Sequence, residues 1–186
     1  MTTALWLLAA QGIIGAFDTF YYHEWRARLA AGGSRTAPEL KLHAARDFLY
    51  ATLFGALPHL AWQGLWAVVL AAILSTEIIL TLADFVVERR VRKPLGDVYD
   101  GERVTHAVMG IIYGAMLANL LPMLWRWLQL PTAIALTDNA APEPLRWILT
   151  MMAVVVFLSG ARDLYAALGL PHGGWPWNAE KAEVQS

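Results

Sequence analysis

The sequence predicts an all-α integral membrane bundle of about five transmembrane helices, with the N-terminus outside and the C-terminus cytoplasmic. Three observations predict it: a composition 58% hydrophobic and only 16% charged, five long apolar runs, and a lopsided distribution of Lys and Arg between them. Soluble domains carry about a quarter charged residues, and the mean hydropathy of +0.44 lies on the apolar side. Nine Trp point the same way. Indole favours the boundary between headgroups and hydrocarbon, and Trp62, Trp66, Trp125, Trp127 and Trp147 flank apolar runs.

A span needs about 20 mainly apolar residues to cross roughly 30 Å of hydrocarbon. The first runs from about Ala4 to Glu24; with no basic leader and no small-residue cleavage site, it reads as a retained helix. The second runs from about Leu40 to Leu57. Thr36-Ala-Pro-Glu39 before it has the pattern of a capping box with proline in the first turn, and Pro58 ends it. The third runs from about Gly64 to Glu88 and the fourth from about Val104 to Trp125. A proline-bearing stretch from Pro131 to Pro144 leads to the fifth, from about Leu145 to Leu168. Residues 1–170 thus read as one transmembrane domain and 171–186 as a polar surface tail, with no internal repeat.

Lys and Arg are retained on the cytoplasmic side. Arg26, Arg28, Arg35, Lys41 and Arg46 lie around the first connection, and Arg89, Arg90, Arg92, Lys93 and Arg103 around the third; only Arg126 and Arg146 fall on the opposite side. Net charge is −1, which gives no reason to expect nucleic acid. With no Cys, disulfides, iron–sulfur clusters and thiol catalysis are excluded.

A charge in the bilayer costs at least a few kcal/mol, so each intramembrane ionisable residue is a candidate functional residue with a partner. The first span carries Asp18 and His23, the second His43 and Asp47, the third Glu77, Asp84 and Glu88, the fourth His106 and the fifth Asp163. At 1.5 Å per residue, Asp18 lies roughly 12 Å inside the Arg26 boundary, and Asp84 and His106 lie roughly 5 to 8 Å inside theirs. Carboxylates and imidazoles from five helices therefore fall in one layer near the cytoplasmic leaflet. His59, beside Pro58, lies at the other end, and it and His172 read as surface residues.

Helical phase supports the layer. His43, Asp47 and Tyr50 share a face, as do Glu77, Thr81, Asp84 and Glu88, and His106, Gly110 and Tyr113. Asp18 and His23 do not: five residues apart, they diverge by about 140° on a regular helix.

Imidazoles and carboxylates converging from separate helices are the ingredients of a metal site without thiolate. The expected ligands are Asp18, His23, His43, Asp47, Asp84 and His106. Glu77, Glu88, Arg46, Tyr50, Tyr113, Arg162 and Asp163 are expected around them, as supporting or proton-relaying groups. Iron is favoured, one or two ions, with manganese or zinc as alternatives. His-Glu-x-x-His, ferritin-type Glu-x-x-His and phosphate-binding Gly-rich loops are absent.

Phe17-Asp-Thr-Phe-Tyr-Tyr-His-Glu-Trp25, His43-Ala-Ala-Arg-Asp-Phe-Leu-Tyr50, Thr81-Leu-Ala-Asp-Phe85 and Glu102-Arg-Val-Thr-His106 resemble stretches of an uncharacterised family of bacterial integral membrane proteins. The resemblance covers most of the chain and implies a bacterial inner-membrane location, with no activity attached.

The leading expectation is a non-haem iron oxidoreductase, with one or two ions, acting on a lipidic or apolar substrate at the cytoplasmic leaflet. A zinc-type membrane hydrolase and a proton- or ion-coupled transporter with a carboxylate relay are the alternatives. A haem carrier is less suited to carboxylate-rich surroundings, and a network of ion pairs is the purely structural reading. Membrane lipid and the apolar substrate are the partners implied, with a membrane redox partner or homo-oligomer also compatible.

Overall fold

Long apolar helices can bury their contact faces only against one another, and here they pack antiparallel, chiefly in pairs that are not adjacent in sequence. The computed structural model describes residues 1–137 and 141–177. Helix α1 (Thr2–Phe17) continues without a break into a π-helix, Asp18–Arg26. A 3-10 stretch, Leu29–Arg35, leads to α2 (Ala37–Ala56), then β1 (Leu60–Gln63), α3 (Leu65–Arg92), α4 (Asp100–Leu128), β2 (Ala133–Leu136) and α5 (Glu143–Ala167).

The protein is mostly helical, and four of its helical stretches are long and apolar enough to cross a membrane: Thr2–Arg26, Leu65–Leu95, Asp100–Leu128 and Glu143–Ala167. The expected second span, α2, is a helix where the sequence predicts one but does not meet that standard. Glu39, Lys41, Arg46 and Asp47 crowd its 20 residues. Instead α2 is enclosed: only Pro38, Lys41 and Thr52 along it are exposed, and it packs on α3 and α5. Gly160 of α5 permits this closeness, since a Cβ there would stand 2.8 Å from the Asp47 Cβ.

The bundle has two unlike ends. At one, Leu5 and Leu8 of α1, Leu53, Phe54 and Leu57 of α2, Leu70 and Leu74 of α3, Met116 and Leu120 of α4, and Leu145 and Leu149 of α5 form an apolar core. At the other, where α1, α3 and α5 end and α2 and α4 begin, charged groups fill the interior. A small cluster of Leu29, Ala30, Leu40, Ala166 and Ala167 closes that end.

Three local features differ from expectation. Strands β1 and β2 pair antiparallel, Leu60 with Leu136 and Gln63 with Ala133; four-residue strands are too short to leave a readable alternation. The capping box does not form. Thr36 donates its hydroxyl to Leu29 O (2.7 Å), and Glu39 turns inward. Residues 171–177 pack on the body: Trp177 meets the Trp25 ring edge-on and the Arg28 guanidinium, and Arg162 donates to Trp175 O (3.0 Å). The remainder of the predicted tail, 178–186, lies outside the described residues.

Gly64 joins the ribbon to α3 at φ +59°, where a Cβ would stand 2.6 Å from Thr132 Cα. Both the backbone conformation and the contact demand glycine. Gly64→Ala is expected to cost about 1–3 kcal/mol, measured as a lowered midpoint of unfolding in mixed micelles.

His59 locks α5 to the ribbon end. Arg146 donates to its Nδ1 (3.1 Å), so its Nε2–H points at Thr150 Oγ1 (2.9 Å). Burial and the Arg146 charge hold its pKa below the ordinary value. A depressed imidazole pKa means the unfolded chain takes up the proton first. Stability from this contact is therefore present above about pH 6.5 and falls as pH drops below it. The loss between neutral and mildly acidic pH is expected to be smaller in His59→Gln, read from the same unfolding midpoints.

Candidate metal centre

The π-helix resolves the phase problem of the first span. With i→i+5 hydrogen bonding, such as Ala27 N to Tyr22 O (2.9 Å), residues five apart stand one above the other. Asp18 and His23 thereby face one centre, their Oδ2 and Nε2 atoms 3.3 Å apart. Both are buried.

Two triads form there. In the first, Asp18, His23 and His106 bring one ligand atom each within 4.8 Å of one another; in the second, Glu88, Glu102 and His106 do the same. His106 belongs to both. Its Nε2 lies 3.2 Å from Asp18 Oδ2 and its Nδ1 3.7 Å from Glu88 Oε1, so the two ring nitrogens face different triads. His23 Nε2 lies 3.2 Å from Glu102 Oε1, which ties the triads together a second way.

Several of these atoms lack hydrogen-bond partners: Asp18 Oδ1, His23 Nε2, Glu88 Oε2 and Glu102 Oε2. Buried polar atoms are ordinarily satisfied, and those left over mark strain, a catalytic role, or a place for water or an ion. His23 Nε2 stands within 3.3 Å of two carboxylates without the alignment of a hydrogen bond to either. A lone pair sharing an ion with those oxygens sits this way.

No family model, curated protein or solved structure matches this chain.

The other expected ligands lie beside the triads. The His43 ring stacks on His23, centroids 4.6 Å apart, and its Nε2 is 3.3 Å from Asp84 Oδ2. Asp84 accepts from Arg46 Nη1 (2.8 Å). From there a polar arm runs toward the middle of the bundle: Arg46 Nη2 is 3.7 Å from Glu77 Oε1, which accepts from Tyr50 (3.0 Å) and Thr81 (2.8 Å). Gln11 donates to the Tyr50 hydroxyl (3.3 Å). Tyr113 donates to Leu74 O (3.2 Å), beside this arm. Arg162 pairs with Glu24 and, at 3.2 Å, with Asp163, and Asp163 Oδ2 is 4.0 Å from His43 Nδ1. Asp47 joins neither triad and lines a cavity.

Sequence reasoning missed Glu39, Arg92 and Glu102. The Arg92 side chain, 1% exposed, donates to Glu39 Oε1 (2.8 Å) and Glu102 Oε1 (3.1 Å), both fully buried. This triplet ties α2, α3 and α4 together and fixes Glu102 against His23. The signal was present: Glu39 lies four residues before His43, Glu102 four before His106, and Arg92 four after Glu88.

Around this end nine carboxylates (Asp18, Glu24, Glu39, Asp47, Glu77, Asp84, Glu88, Glu102 and Asp163) face six groups able to carry positive charge: His23, His43, His106, Arg46, Arg92 and Arg162. Burial in an apolar bundle makes such a deficit costly unless further cations enter or some of the carboxylates stay protonated.

A partly open cavity of about 720 Å³ adjoins the first triad. Gly15, Phe20, Phe54, Met109, Val155 and Val156 give it apolar walls, while Asp18, His23, His43, Asp47, Arg162 and Asp163 line its polar end. That volume is ordinary for a small-molecule site.

Arg92→Met removes the shared cation of a buried triplet and leaves two uncompensated carboxylates, expected to cost about 3–5 kcal/mol. Adding Glu39→Gln is expected to recover part of the loss. Unfolding midpoints of the single and double variants in micelles check this.

Proposed function

We propose that the protein is a membrane-embedded, metal-dependent enzyme, with the two triads as ligands and the adjoining cavity as the site of an apolar substrate. The observation that carries this reading is His106, whose two ring nitrogens serve two groups of oxygen and nitrogen donors with unpartnered buried atoms. Oxygen and imidazole donors without thiolate suit iron or manganese, and zinc is also compatible. His106 would hold an ion through one ring nitrogen in either triad, and one in each only as the imidazolate, after loss of its N–H proton. Iron chemistry on a C–H bond is the preferred reaction class; hydrolysis by a metal-activated water is the alternative. Oxidation of a C–H bond would take dioxygen as the oxidant, with one oxygen atom going to the substrate and the other to water, and the two further electrons this needs would come from a membrane redox partner.

The membrane setting is part of the proposal. Outward positions of α3, α4 and α5 are apolar, Ile79, Leu82, Val86, Ile111, Val154 and Leu158 among them, while charges point inward. Such a surface suits lipid. Arg46 and Arg92 are consumed by internal pairs. Arg26, Arg28, Arg35, Lys41, Arg89, Arg90, Lys93 and Arg103 still outnumber Arg126 and Arg146, which supports a cytoplasmic polar end and an outer N-terminus. The bacterial inner membrane is the location proposed.

The Gln11–Tyr50–Glu77–Arg46–Asp84 arm favours a second reading, proton or cation movement through a buried relay. It predicts ion flux in liposomes without tightly bound metal.

Elemental analysis of protein purified in mild detergent without chelator decides between them. Near-stoichiometric iron, manganese or zinc is expected in the wild type, lost altogether in His106→Ala. With two ions present, Asp18→Asn and Glu88→Gln are each expected to lose about one equivalent, since they belong to separate triads. A metal-free wild type, also after reconstitution with each ion, would overturn the reading.

A further inference from the structure

Resting on the reading of the cavity as the substrate site, we infer that its occupant is one acyl chain of a lipid that stays in the bilayer, admitted sideways through a portal between α1 and α5. The cavity has a buried back and an exposed front. Tyr50 and Phe54 of α2 line the back, Phe54 with only 1% of its surface exposed, and Met109 of α4 lines a side. At the front, Ala16 and Phe20 on the first helical stretch and Val155 on α5 line the cavity and also face outward, Phe20 at 65% exposure and Val155 at 52%. Side chains that belong to both surfaces mark where a cavity opens.

Two contacts frame that opening. Toward the apolar end α1 closes on α5 at Gly12, where a Cβ would stand 3.0 Å from Met152 Sδ. Toward the polar end Glu24 pairs with Arg162, which also donates to Trp175 O (3.0 Å). Met152 and Arg162 are about 15 Å apart along α5 at 1.5 Å per residue. Both walls of the opening belong to stretches long and apolar enough to cross a membrane. Val154, Phe157 and Leu158 beside it are exposed apolar residues. In the membrane setting proposed above, the portal faces hydrocarbon.

The cavity is also graded in the direction a lipid requires. Its polar lining, Asp18, His23 and Asp163, lies toward the end where exposed Arg26 and Arg28 mark the headgroup layer. Gly12, Phe54 and Val156 line its apolar end, deeper in the bundle. A lipid of that leaflet has the same order, head at the surface and chain toward the midplane, so one chain can slide in without turning over. Passage between α1 and α5 keeps every methylene in apolar surroundings, whereas entry past Glu24, Arg162 and Trp175 would bring each one through water. The chain would then run from Phe20 to Phe54, with the carbons nearest the head passing Asp18 and His23.

The test uses the full chain in nanodiscs whose bilayer contains a small fraction of a diacyl phospholipid carrying a diazirine near the methyl end of one chain. This probe cannot reach the back wall by way of water without withdrawing both chains from the bilayer. After irradiation, mass spectrometry is expected to find label on Tyr50 or Phe54, and also on the outward α3 residues Ile79 and Leu82, which serve as the reference. Val155→Trp and Ala16→Trp place an indole on opposite rims of the portal, and each is expected to lower the back-wall label, relative to the reference, by at least about tenfold. Val154→Trp is expected to leave it unchanged, since Val154 is almost equally exposed (53%) but does not line the cavity. A back wall labelled by a water-soluble single-chain diazirine probe but not by the diacyl probe would overturn the lateral route. Label from neither probe would overturn the cavity as a chain site, and equal loss, or no loss, in Val154→Trp and Val155→Trp would overturn the position of the portal. Metal content of the same samples keeps this test apart from the metal reading. Ala16 and Val155 belong to neither triad, so both variants are expected to retain metal. A metal-free wild type whose back wall is labelled would reject the enzyme and leave the portal standing.

Discussion

The arrangement depends on one constraint, the cost of holding carboxylates inside an apolar bundle. Each buried carboxylate needs a cation, several donors or its proton, and the interior supplies fewer cations than carboxylates. The deficit concentrates at the end where α2 and α4 begin and α1, α3 and α5 finish. There Arg92 is shared between Glu39 and Glu102, and His106 between Asp18 and Glu88. Sharing is what a shortage of cations produces. It also explains the position of α2: a helix with Glu39, His43, Arg46 and Asp47 is tolerable only where its neighbours cover it.

The two ends divide the work. Leu, Phe and Met side chains interlock all five helices at the apolar end, and the β1–β2 ribbon with His59, Arg146 and Thr150 braces it. That packing carries enough stability for the opposite end to keep unsatisfied polar atoms. Replacing such charges by packed apolar residues is often neutral or stabilising in other proteins, so their retention here argues for a use other than stability.

Much of this was legible in the sequence. The one-ended layer followed from span boundaries and helical rise alone, and the shared faces of α2 and α3 followed from their spacing. Glu39 was hidden by a stronger local signal, because Thr36 and Pro38 make it look like a capping residue. Arg92 and Glu102 were hidden by their neighbours, lying in runs of charge that read as a solvated loop. In each case the deciding fact is which helix packs opposite, and that is a property of tertiary contact. The π-helix is different in kind. Nothing in Asp18-Thr-Phe-Tyr-Tyr-His-Glu-Trp-Arg26 announces wider winding, yet it alone lets Asp18 and His23 meet. α2 has the length expected of the second span, but its charges set it apart from the four long apolar stretches and require enclosure.

His43 links the two polar systems. Its ring lies on His23, a member of the first triad, and its Nε2 faces Asp84, the start of the arm through Arg46 to Glu77 and Tyr50. Charge placed in the triads is therefore felt along the arm, since the connecting groups are close and poorly screened. A cation bound by Asp18, His23 and His106 would favour a neutral His43, release part of the hold on Asp84, and leave Arg46 as its main partner. The arm would then serve the site, as a route by which protons taken up or released at the triads are balanced from the middle of the bundle. Under the proposed function the arm and the two triads would belong to one device, and Tyr50, which touches both the arm and the cavity, would be the residue where substrate and proton path meet.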